Sequence, residues 1–179
     1  MCDFLSMYPT VCTLMGLWQF VIADGMVTQN ATDDAKAILE NADLDWLQRP
    51  QSWRQLTMLV RVKPQGDIFP VRAAYDEGEQ TTIGLNYLTS GDTPLWFTLA
   101  DCIASKLLTG KAPEVLEAVA FMPGEMQSGL RPVNVGGKAD YRVDPATDDL
   151  YQRVIELRNS VKVAMKGQSG DYLAALDTE

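Results

Sequence analysis

No histidine occurs anywhere in the chain. That absence removes zinc sites built on imidazole and every Ser-His or Cys-His catalytic pair. Cysteine is scarce as well. Cys2, Cys12 and Cys102 leave one thiol unmatched and show no C-x-x-C spacing, so no disulfide framework or thiolate metal site is indicated. Any metal must then be a hard cation on oxygen ligands. Long apolar runs are missing too: the best, residues 11–22, is broken by Thr13, Gly16 and Gln19 and is too short to span a bilayer. Asp3 stands where a signal peptide would carry positive charge, so the start does not read as one and a cytoplasmic location is expected. Asn30-Ala31-Thr32 matches a glycosylation acceptor, a pattern without weight when no secretion is expected. Basic residues are the minority, 15 against 24 acidic ones, for a net charge of −9. Such a chain repels DNA at long range, so a nucleic-acid role requires Lys and Arg gathered on one face or supplied by a larger protein.

What is present is a globular composition. With 179 residues, 46% hydrophobic and 22% charged, the chain fits one domain, or a domain with an appendage, able to bury a real core. Its most informative stretch is the first: Asp3-Phe4-Leu5-Ser6-Met7-Tyr8-Pro9-Thr10. An acidic residue ends a short apolar run, and a helical pattern follows at once. Pro9 suits a first helical turn, where its missing N–H is no loss, and Val11, Leu14, Met15 and Trp18 recur at helical spacing. A carboxylate at a strand end then faces backbone N–H groups at a helix start, an arrangement that can hold a divalent metal and a phosphate.

Further along, residues 20–23 are β-prone and Asp24-Gly25 is a turn signal, predicting a brief strand or hairpin. Thr32 or Asp33 can cap a helix running to about Glu40, with one more turn around residues 43–47. Residues 56–63, 68–75 and 81–88 alternate as strands separated by short polar turns, and Pro70 confines the second to an edge or a bulge. A helix is expected from Thr93-Pro94, with Leu95 or Trp96, Leu99, Ile103 and Leu107 on one face, ending at Thr109-Gly110. Thr109-Gly110-Lys111 is not a phosphate loop: Ser105 replaces its first glycine and Ala112 its hydroxyl residue, so Gly110 reads as a helix cap. Pro113 should start another helix to about Val119, and the longest helix should run from Asp144-Pro145 to about Lys166. On it, Leu150, Val154, Leu157, Val161 and Ala164 form an apolar stripe, while Arg158, Lys162 and Lys166 form a cationic row. A break at 167–170 precedes a last helix over 171–179. The fold expected is α+β: an antiparallel β meander in the middle of the chain flanked by helices.

Residues 3–10 resemble the first palm motif of family B DNA polymerases, D-x-x-S-L-Y-P-S, with Met7 for Leu and Thr10 for the last Ser. The resemblance is tight over that stretch, looser over residues 151–166, and carried by no motif between. It implies an incomplete palm and fingers segment: residues 1–30 the palm strand and helix, 31–92 a helix with a β insertion, 93–179 a helical fingers-like segment. It also implies nucleotidyl transfer from a dNTP to the primer 3′ end of primer-template DNA, with two Mg²⁺ ions. Asp3 would be the catalytic metal ligand, with the Phe4 carbonyl nearby. Ser6 and Met7 would offer backbone N–H groups to the triphosphate, and Tyr8 would stack under the sugar. Arg158 and Lys162 would meet the triphosphate from the fingers side, so they and Asp3 should converge on one cleft. The family's second and third motifs do not occur, so the metal site would be completed by residues outside this chain, which alone should not polymerise DNA. Two other readings stay open: a non-catalytic α+β interaction module in which Asp3 merely caps a turn, and a small nucleotide-binding regulator.

Overall fold

The computed structural model describes residues 6–74, 82–89 and 93–166. Helices α1 (Met7–Met15) and α2 (Trp18–Ile22) lead into strand β1 (Met26–Asn30), followed by helices α3 (Thr32–Asn41), α4 (Leu44–Leu47) and α5 (Pro50–Trp53). Strands β2 (Met58–Lys63), β3 (Asp67–Ala73), β4 (Thr82–Leu88) and β5 (Leu95–Thr98) come next. Helix α6 (Leu99–Thr109), strand β6 (Glu114–Pro123), two short strands β7 (Val133–Asn134) and β8 (Arg142–Val143), and helix α7 (Leu150–Lys166) complete the chain. The class is α+β, as the periodicities predict. Among the described residues no helix is long and apolar enough to cross a membrane. The chain divides into two compact units, Met26–Met122 and a terminal unit of Met1–Gly25 with Pro123–Glu179.

The central unit is built on a sheet of order β1-β6-β2-β5, in which β2 runs antiparallel to both of its neighbours. Its side chains Val60 and Val62 are fully buried, with Leu99, Cys102 and Ile103 of α6 and Leu39 of α3 also in the core. Helix α6 starts with a capping box, Thr98 Oγ accepting from the Asp101 N–H while Asp101 accepts from the Thr98 N–H. It ends where Gly110 adopts φ 74, the C-cap anticipated at that position. The Lys106 ammonium donates to the Glu40 and Ala42 carbonyls at 3.0 and 2.9 Å, closing the exposed C-terminal end of α3.

Strands β3 and β4 form a separate hairpin. The 56–63, 68–75 and 81–88 runs contain β2, β3 and β4, with Leu56 in a turn of 3-10 helix before β2, but β2 pairs with β5 and β6 instead of with β3. The turn before β3 explains this. Gly66, at φ 86, donates its N–H to the Leu88 carbonyl at 2.7 Å, closing β3 onto β4 and leaving both edges of β2 for other partners. Pro70 sits in a two-stranded sheet, where every strand is an edge, as its missing N–H requires. Phe69 is fully buried and stacks on Phe97 of β5, ring centroids 4.0 Å apart, while the Ile68 N–H donates to Ser105 Oγ on α6.

Three further expectations are corrected. Residues 95–98 are strand rather than the first turn of α6, because they pair with β2 along Leu95↔Val62 to Thr98↔Leu59. Residues 114–123 are strand, not helix: Glu, Leu and Ala favour a helix locally, but insertion between β1 and β2 buries Val115, Ala118 and Ala120. Residues 20–22 are helical, since the Leu17 carbonyl accepts from the Phe20 and Val21 N–H groups, and only Ala23 forms a bridge, to Met126. The expected break at 167–170 and helix at 171–179 lie outside the described residues.

Phe69→Ala should cost the central unit about 3–5 kcal/mol. Ile83→Ala, on the exposed face of β4, should change stability by about 0.5 kcal/mol or less, both read by urea unfolding. Burial, with the Asp101 and Asp67 carboxylates adding to it, pushes the Cys102 thiol up to about 12. The folded chain therefore holds that proton while the unfolded chain releases it near pH 8.5, so stability should fall as pH rises from about 8.5 towards 12. At pH 8, mass spectrometry after thiol labelling should find Cys102 unmodified until the chain is unfolded.

Candidate nucleotide-binding turn

The terminal unit is joined by backbone bonds between two distant segments. The Asp24 N–H donates to the Glu125 carbonyl at 2.7 Å, Gly124 to Gly25 at 3.0 Å and Gln127 to Ile22 at 2.9 Å. A β-carbon on Gly124 would stand 3.1 Å from the Gly25 carbonyl oxygen, so glycine lets the two segments approach this closely. Helix α1 packs against α7 within this unit. Trp18 stacks edge-on against Tyr151 at 6.1 Å, and its indole N–H reaches the Pro145 carbonyl at 3.4 Å. Burial pushes the Tyr151 phenol above its ordinary value, with smaller contributions from Cys12 and Asp149. Residues late in the first segment thus meet the start of α7, and Ser6, at the start of α1, meets Arg158: the two helices run antiparallel.

Helix α7 begins at Leu150, later than expected, because residues 144–149 are spent on turns. The Asp148 N–H donates to the Asp144 carbonyl at 2.8 Å, and Asp149 Oδ1 accepts from the Tyr151 and Gln152 N–H groups at 2.8 and 3.3 Å. Asp149 is therefore the cap, and its charge sits at the positive end of the helix. The apolar stripe is only partly covered: Leu150, Leu157 and Val161 are half-buried, whereas Val154 and Ala164 are exposed.

At the first turn of α1, Ser6 is 6% exposed and adopts φ 51, ψ 45, the one non-glycine residue at positive φ among those described. A helix-capping serine ordinarily has extended backbone and turns its hydroxyl onto the helix. Ser6 makes no such cap; its Oγ accepts from Arg158 Nη1 at 3.1 Å. The Met7 and Tyr8 N–H groups have no acceptor inside the helix, and Pro9 has no N–H at all. Met7 is exposed and Tyr8 is 78% exposed, so the tyrosine is not the core residue that a purely structural role would make it. Lys162 is exposed one turn beyond Arg158, about 6 Å along the axis. The side chain of Lys166 and the residues Asp3 and Phe4 lie outside those described. Of the predicted site residues the structure thus brings Ser6, Met7 and Tyr8 to one turn with Arg158, and leaves Lys162 further along the same helix. The expected convergence of Asp3 with Arg158 and Lys162 falls outside the described residues on its acidic side.

The hydroxyl of Ser6 is what sequence reasoning missed, since the motif points to its backbone. The signal available was its identity: serine just before a helix is a cap candidate, but only φ shows that it faces elsewhere. No metal-binding group of three or more Asp, Glu or Cys side chains occurs among the described residues. A concavity of about 210 Å³ lies between α7 and residues 135–143, lined by Val135, Tyr141, Val143, Leu157 and the Arg153–Glu156 pair. That pair, 2.9 Å apart, raises the arginine and lowers the glutamate from their ordinary values through its hydrogen bond. No protein-family model, no curated protein and no solved structure matches this chain.

Asp149→Ala should remove the cap of α7 at a cost of about 1 kcal/mol, seen as reduced helicity by circular dichroism and an earlier thermal transition.

Proposed function

We propose that the chain is a segment of a family B-like DNA polymerase that carries the first palm motif and part of the fingers, and that the start of α1 receives the triphosphate of an incoming dNTP. The observation that carries this reading is the Ser6–Arg158 hydrogen bond at 3.1 Å. It joins the two stretches that the resemblance singles out, although they lie 152 residues apart. The chemistry is that of anion recognition. The Met7 and Tyr8 N–H groups sit at the positive end of a helix dipole, and Arg158 supplies the formal charge that a net-acidic chain must concentrate locally. Lys162 adds a second cation on the same helix. Tyr8 presents its ring to solvent beside the turn, where it can support a sugar.

Magnesium would neutralise the polyphosphate and favour the attacking hydroxyl. Asp3 is the ligand that the motif supplies. The described residues gather no carboxylate set that fits the ion, so the rest of such a site would come from outside them. The part these residues play is to bind and orient the polyphosphate.

A second reading, a non-catalytic interaction module, is favoured by one observation: Ile83, Leu85 and Tyr87 alternate along β4 and are all exposed. Primer extension separates the two. With Mg²⁺ and all four deoxynucleotides, the 179-residue chain should not extend a primer. A longer protein carrying the third palm motif should extend it, and Asp3→Ala should abolish that activity. Folded proteins that both fail to extend would favour the module.

A further inference from the structure

We infer that Ser6 is a positioning residue for Arg158: its hydroxyl, turned away from the helix, holds the guanidinium beside the first turn of α1 before any ligand arrives. This rests on the proposed polyphosphate role of that turn and adds how its cation is set in place. Three observations carry it. The hydroxyl accepts from Arg158 Nη1 at 3.1 Å. Ser6 is nearly buried, so its Oγ is poorly placed to exchange that partner for water. Its φ of 51 is a conformation glycine adopts freely and serine does not, so the position is conformationally better suited to the smaller residue. A serine there trades backbone ease for a hydroxyl, and the recorded use of that hydroxyl is to hold Arg158. With that twist the Ser6 side chain does not cap the helix, and among the described residues no side chain accepts from the Met7 and Tyr8 N–H groups. One residue thereby forgoes the cap and anchors a cation at the same turn. A long flexible side chain loses rotamer freedom when it closes on a ligand, and an arginine already tethered loses less.

The test separates hydroxyl from backbone with Ser6→Gly, which suits the positive φ, and Ser6→Ala, which does not. In the ligand-free chain, the ¹⁵N relaxation of Arg158 Nε should report an ordered side chain in the wild type and a mobile one in both variants. Inorganic tripolyphosphate at low ionic strength should shift the Met7 and Tyr8 amide resonances of the wild type. Both Ser6 variants should bind it about tenfold more weakly, although their thermal stabilities move in opposite directions. Arg158→Gln should weaken binding to a similar degree, and adding Ser6→Gly to it should cause no further loss. An Arg158 side chain equally mobile with and without the hydroxyl would overturn the inference. So would unchanged affinity in Ser6→Gly, or additive losses in the double variant, with the polyphosphate site itself left standing. Absence of any tripolyphosphate binding would instead sink the polyphosphate role of the turn, and this inference with it, even if Arg158 proves ordered.

Discussion

Everything assigned to the terminal unit depends on the backbone bonds between residues 22–25 and 124–127. They join chain segments separated by the whole central unit, and the entropy of closing so long a connection is recovered only because closure then lets α1 pack on α7. The contact is close because Gly124 has no side chain, and it is reinforced where the Gln127 amide reaches the Ala23 carbonyl at 2.9 Å. Without that crossing, Ser6 and Arg158 would belong to opposite ends of the molecule's sequence and would have no reason to meet.

The two units bury very different kinds of surface. The central unit has a continuous apolar interior drawn from β2, β3, α3 and α6, with Phe69, Leu39, Leu99 and Ile103 almost wholly enclosed. In the terminal unit few side chains are enclosed, Ala23, Val143 and Ser6 among them, while Met7, Val21, Met126, Leu130 and Val133 stay exposed. Its order comes from helix caps, the Trp18–Tyr151 contact and polar bonds.

Charge follows the same division of labour. A net charge of −9 opposes any polyanion at a distance, yet among the described residues the turn of α1 gathers amide dipoles and a guanidinium. The exposed Lys162 continues the cationic line, whereas Arg153, three residues earlier than Glu156, is neutralised by it.

What the sequence determined by itself was everything set within a few residues. The α+β class, the cap at Gly110, the strand character of 58–63 and 82–88, and the helix that follows residue 6 were all legible, because alternation and turn chemistry are local, although α3 is preceded by Ala31 and carries no side-chain cap from Thr32 or Asp33. Only the tertiary structure decided the rest. Residues 114–123 carry helix-forming side chains but become a strand between two others, since pairing outweighs a propensity of a few tenths of a kcal/mol per residue. Strand β2 could not announce that its partners would be β5 and β6, because hydrogen-bonding edges carry no side-chain signature. Nor could Ser6 announce its left-handed backbone: the residue type invites a helix cap, and only the approach of Arg158 from the far end of the chain gives its hydroxyl a different partner.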